Sequence, residues 1–112
     1  MYASVRRYRC DPTQMDALLQ IIDEEFVDLL IEQPGFCDYQ AIDCGAGSLV
    51  TVSIFQDREG ADDSAQIAAD FVRTRLSEFQ LERLDVSSGE VAVSRAAEEM
   101  LEPARRFRRA AI

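Results

Sequence analysis

The sequence predicts an α+β fold of order βαββαβ, a four-stranded antiparallel sheet carrying two helices on one face. Three observations carry this. Met15, Leu18, Leu19, Ile22, Phe26, Leu29 and Leu30 recur at three- and four-residue steps, the period of an amphipathic helix. Two β-rich runs, 36–43 and 49–55, are joined by Gly45-Ala46-Gly47-Ser48. A second helical stripe then leads into a last β-rich stretch.

Each element has a local reason. Residues 2–9 are rich in Tyr, Val and Arg and end at Asp11-Pro12, where a helix start is signalled. Asp11 caps, Pro12 suits the first helical position and Gln14 stands at capping-box spacing. Pro34-Gly35 stops that helix. The next run alternates loosely through Tyr39, turns at the glycines and returns as Leu49-Val50-Thr51-Val52-Ser53-Ile54-Phe55, a β-hairpin. The second helix is expected from about Asp57, with Glu59, Asp62 and Asp63 early and Arg73 and Arg75 late, matching the helix dipole. Its stripe is Ala61, Ala65, Ala68, Val72, Leu76 and Phe79. After a loop near Leu84-Asp85, residues 89–95 are expected to form the last strand.

Right-handed crossovers put both helices on one face, the ferredoxin-like arrangement, and leave the other bare. The run 49–55 is apolar or small on both sides, which a sheet wet on one face would not be. A second copy of the same sheet is the economical cover, so a homodimer is expected. Residues 1–96 are read as one domain and 97–112 as a charged tail, a helical extension or disordered, with Arg105, Arg106, Arg108 and Arg109 around Phe107.

Composition narrows the function. The 112 residues are 47% hydrophobic, enough for one ordinary core. A net charge of −9 removes the phosphate attraction behind nucleic-acid and anionic-membrane binding. No signal-like start and no apolar run of spanning length occurs, and three cysteines without C-x-x-C spacing fit a reducing cytosol, so a cytoplasmic protein is expected. Lys, His, Trp and Asn are wholly absent. Without His the chain lacks the usual neutral-pH acid–base group and the commonest transition-metal ligand, and without Lys it forms no Schiff base. The carboxylate clusters Asp23-Glu24-Glu25 and Asp62-Asp63 lack EF-hand spacing, and no metal or cofactor is expected.

Pro34-Gly35-Phe36 at the helix end, Tyr39 in the second strand, and Val52 to Ala61 running Val-Ser-Ile-Phe-Gln-Asp-Arg-Glu-Gly-Ala into the second helix resemble the antibiotic biosynthesis monooxygenase family of the dimeric α+β barrel superfamily, nearest its stand-alone bacterial branch. The resemblance covers about residues 1–96. It implies a homodimer whose sheets close into a barrel, with a small-ligand pocket in each protomer between sheet and helices. The family's cofactor-free oxygenases make quinones with Asn, Trp and Arg; its haem-degrading members use Asn, Trp and an iron-ligating His. Of those residue types only Arg exists here.

Arg6 and Arg7 point to opposite faces, and the one entering the implied pocket could stabilise a phenolate or enolate oxyanion. Arg7 is the expected one, because it shares the face of Ala3 and Val5. Tyr39, ahead of Tyr8 and Tyr2, is the candidate hydrogen-bond donor or phenolic acid, and Val5, Phe26, Val52, Ile54 and Phe71 are expected to line the pocket. Asp38 and Asp43 are the remaining candidate bases; Cys37 and Cys44 are read as packing, with Cys10, just before a helix start, better placed for thiolate chemistry. Two functions follow. One is a cofactor-independent monooxygenase, or related isomerase, on a small aromatic or enolisable substrate. The other is a non-catalytic dimer module that binds a small hydrophobic ligand.

Overall fold

The computed structural model describes residues 1–101 and Ala104. Strand β1 (Tyr2–Arg9) leads into a 3-10 turn (Pro12–Gln14), helix α1 (Met15–Ile21), a π-helical stretch (Ile22–Phe26) and helix α2 (Val27–Ile31). Strands β2 (Phe36–Gly45) and β3 (Ser48–Phe55) form the hairpin; helix α3 (Arg58–Arg75) and strand β4 (Glu82–Glu90) follow. The sheet order is β2-β3-β1-β4, antiparallel throughout.

The helix starts follow their caps. The Asp11 carboxylate accepts from the Thr13 amide at 2.9 Å and its hydroxyl at 2.8 Å, and Asp57 accepts from the Gly60 amide at 2.8 Å. The first predicted helix forms as one rod, α1 through α2, but with a widened turn in its middle, where Val27 N–H donates to the Ile22 carbonyl. At the hairpin, Gly45 pairs with Ser48, and Ala46 (φ 53°) and Gly47 (φ 80°) make the left-handed two-residue turn that matches strand twist. A Cβ at Gly47 would lie 2.1 Å from the Cys10 carbonyl oxygen, so this glycine fits tightly against the end of β1.

The last strand corrects the sequence reading: it spans Glu82–Glu90, not 89–95, and Leu84-Asp85 lies inside it. All nine of its residues are exposed. β4 pairs only along β1 and its side chains are uncovered, so no periodic apolar signal marks it. Val91-Ala92-Val93, which reads as strand, lies outside it, with Val93 85% exposed. The tail begins in a short 3-10 turn (Glu98–Leu101); Arg105 to Arg109 lie outside the described residues.

The core sits between sheet and helices. Leu18, Ile22, Phe26 and Leu30 from the first rod meet Leu49 and Phe55 of β3 and Ala61, Ala68, Phe71 and Leu76 from α3 and its end. The stripe of α3 that faces inward is Ala61, Ser64, Ala68 and Phe71, so it runs through Ser64 rather than Ala65. Small residues bring the start of α3 close to the sheet, and the larger ones open a gap toward its end.

Candidate functional site

Strand β1 decides which side chains enter that gap. Its buried residues are Ser4, Arg6 and Tyr8, and those of β3 are Leu49, Thr51, Ser53 and Phe55. The register pairs Ser4 with Ser53 and Arg6 with Thr51, so these groups share the helix-covered face. Val5 pairs with Val52, Ala3 with Ile54 and Arg7 with Val50, all on the face without helices. Arg7 therefore does not enter the pocket, and Val5, Val52 and Ile54 do not line it. The Arg7 side chain is 54% exposed and its guanidinium pairs with Asp85 at 3.6 Å. The expectation failed because it gave the helix side to the more apolar alternate set of β1. In the folded chain the polar set faces inward, its members satisfying one another.

Arg6 is the centre of that set. It is 1% exposed, with Nε donating to Thr51 Oγ1 at 3.2 Å, Nη1 to Ser4 Oγ at 3.3 Å and Nη2 to Ser53 Oγ at 2.7 Å. Among the described residues no carboxylate pairs with it. A guanidinium keeps its proton in proteins, so a unit positive charge lies buried among neutral hydroxyls. That costs several kcal/mol of lost hydration unless something compensates.

Beside Arg6 is a cavity of about 20 Å³, room for about one water. It is lined by Arg6, Tyr8, Tyr39 and Thr51 and otherwise by apolar side chains, among them Phe26 and Phe71. Phe26 and Phe71 were expected there. Their rings stand 5.2 Å apart, and Phe26 meets Tyr39 edge-on at 5.6 Å. Ile22 and Phe26, the two ends of the π-helical stretch, both line the cavity. An interrupted helix facing a polar centre recurs at functional sites. Just outside, Arg75 grips the Glu25 carboxylate through two hydrogen bonds of 2.9 and 2.8 Å, tying α3 to the π-helical stretch.

Burial pushes the Tyr8 phenol above its ordinary value, even though the charge and hydrogen bond of Arg6 pull the other way. Tyr39 is driven further up, again by burial, against the pull of Arg6. Both therefore stay protonated at neutral pH and serve as hydrogen-bond donors, not as phenolate bases. This narrows the expectation for Tyr39: Arg6 does not bring its phenol into the neutral range.

The other candidates lie apart. Asp38 is on the helix-free face opposite Ile54, and Asp43 accepts from the Gly45 amide at 2.9 Å in the hairpin. Cys10 is buried, and desolvation, with Asp11 and Asp43 adding to it, pushes its thiol up, against the expected thiolate chemistry. Sequence reasoning weighed Arg6 but assigned it the wrong face. The hydroxyls at Ser4, Thr51 and Ser53, alternating on two adjacent strands inside apolar runs, were the missed signal.

No family model matches the chain, and no match among curated proteins was found. Solved structures do match. A dimeric ferredoxin-like protein from an uncultured marine organism has a TM-score of 0.67 at 12% identity, covering 86% of this chain and 98% of that one. A candidate antibiotic biosynthesis monooxygenase from Chloroflexus aurantiacus J-10-fl has 0.62 at 15%, covering 85% and 96%. SnoaB, a cofactor-independent oxygenase from Streptomyces nogalater, has 0.59 at 12%, covering 83% and 94%. The chain thus has the ferredoxin-like α+β fold of these proteins. Among the described residues no helix is long and apolar enough to cross a membrane.

Proposed function

We propose that the chain is a cytosolic homodimer whose protomers are cofactor-independent oxygenases acting on a small aromatic or enolisable substrate. Arg6, in place of Arg7, is the oxyanion-stabilising group, and Tyr39 donates a hydrogen bond to a substrate oxygen. One observation carries the reading: a fully buried guanidinium, unpaired by any described carboxylate, beside an apolar cavity with two protonated phenols. The fold shared with SnoaB supports the choice of oxygen as co-substrate.

Arg6 stabilises the substrate as phenolate or enolate, the electron-rich form that reacts with oxygen. The overall change, a CH2 and O2 giving C=O and water, balances without an external reductant: one oxygen atom enters the substrate and the other leaves as water with the two hydrogens. The apolar walls of Phe26, Phe71 and Leu49 exclude solvent and strengthen the Arg6 charge.

Support for the dimer comes from the helix-free face, where Ala3, Val5, Val50, Val52 and Ile54 are contiguous across β1 and β3. A second copy of that face hides them. The small cavity favours a second reading, a binding module without catalysis, since Phe26 and Phe71 already fill much of the gap. Oxygen uptake separates the two. Phenols and enols acidic enough to be ionised near neutral pH should consume oxygen in an electrode with the wild-type protein and not with Arg6→Gln. Binding without uptake would leave the module reading.

A further inference from the structure

The pocket supplies a cation but no group to receive a proton. Among the described residues its lining contains no carboxylate, the chain has no His, Cys10 lies outside it, and the phenols of Tyr8 and Tyr39 remain protonated. Three of the five N–H groups of a guanidinium go to the hydroxyls of Thr51, Ser4 and Ser53, which leaves donor capacity for an occupant. An acid that entered un-ionised would find nothing to take its proton. A neutral ligand would leave the Arg6 charge uncompensated in a low-dielectric site.

We propose that the pocket takes its ligand as a preformed organic monoanion, from the class of acids ionised near neutral pH, such as carboxylic acids and strongly acidic phenols or enols. This rests on the proposed site at Arg6 and narrows its substrate class; it does not require that oxygen reacts there. The occupant is larger than the present cavity. Separating the π-helical stretch from the end of α3, which the exposed Glu25–Arg75 pair bridges, would supply the room.

The sign of a proton shift tests this. 4-Nitrophenol ionises near neutral pH and is coloured only as the anion, so its absorbance reports its protonation when bound. An apolar pocket without a working cation raises the dye's pKa; the buried Arg6 lowers it by about one to three units. The expected result is a bound dye that is yellow below its solution midpoint, with benzoate displacing it and benzyl alcohol failing to at tenfold higher concentration. Arg6→Gln should reverse the shift. Should that variant not fold, Thr51→Val, which removes one anchor of the guanidinium, should reduce it. A bound dye that turns neutral, displacement by benzyl alcohol as good as by benzoate, or no binding of nitrophenol or benzoate at millimolar concentration would each overturn the proposal. Oxygen uptake with phenols in the face of such a result would leave the oxygenase reading standing.

Discussion

Replacing Val52 by Asp separates the two faces of the sheet. Val52 is half-buried in the isolated chain and points away from the helices, opposite Val5 on one side and Gln40 on the other. In a monomer the new carboxylate stays hydrated, and the cost is limited to lost β-preference, about 1 kcal/mol. In the proposed dimer it would be buried, at several kcal/mol per ion after relaxation, and twofold symmetry repeats the penalty. Taking about 3 kcal/mol per copy gives about 6 kcal/mol, a roughly 10⁴-fold weaker association. Sedimentation equilibrium beside far-UV circular dichroism reads both quantities. The expected result is a dimeric wild type at micromolar concentration and a folded, monomeric Val52→Asp. A wild-type monomer, or a variant that stays dimeric, would refute the cover by a second copy. A variant that unfolds would place Val52 inside the core and refute the assigned face.

Four further outcomes follow from the same contacts. Arg6→Met removes a buried charge along with three hydrogen bonds, so these effects offset. Urea unfolding should show a change within about 2 kcal/mol, against roughly 4.5–9 kcal/mol if each charged hydrogen bond counted in full. Ala46→Gly relieves the left-handed alanine of the hairpin and should raise stability by about 1 kcal/mol in the same assay. The Arg75 guanidinium holds the Glu25 carboxyl below its usual range, so this pair's contribution is present above pH 4.5 and lost as pH falls through the lower folded value; Glu25→Gln should flatten the acid limb of the stability curve. Tyr8 and Tyr39 are raised in the folded state, so their contribution is complete below pH 10 and lost as pH rises through the folded values; alkaline absorbance titration should show two tyrosines ionising late, and Tyr39→Phe should remove one.

Elements with local chemistry were legible in the sequence. Asp11 and Asp57 announced helix starts, Pro34-Gly35 an end and Gly45-Ala46-Gly47 a turn, because caps and left-handed residues act within a few positions of themselves. β4 was displaced because an exposed edge strand owes its place to pairing with β1, not to its own pattern. The π-helical turn at Ile22–Phe26 left no mark either, since its apolar spacing suits a plain helix as well.

The site was half legible for a related reason. Phe26, Phe71 and Tyr39 line the cavity, as large residues on well-marked elements. The choice between Arg6 and Arg7 turned on which alternate set of β1 faces the helices, and a one-residue step flips that answer. Apolarity pointed to Ala3 and Val5. What brings Arg6 inward is the hydroxyl set on β3, a long-range partner visible only once Ser4 lies opposite Ser53 and Arg6 opposite Thr51.

Arg6 is the group the proposed ligand meets, and its guanidinium can be watched directly. All twelve basic residues are arginines. A fully buried Nε–H held by Thr51 should exchange slowly and give a protected nitrogen-15 resonance at neutral pH, assignable by its loss in Arg6→Gln. On addition of any ligand that binds or turns over, that resonance should shift in proportion to occupancy. Saturating binding or turnover that leaves it unmoved would place the chemistry elsewhere and contradict the account.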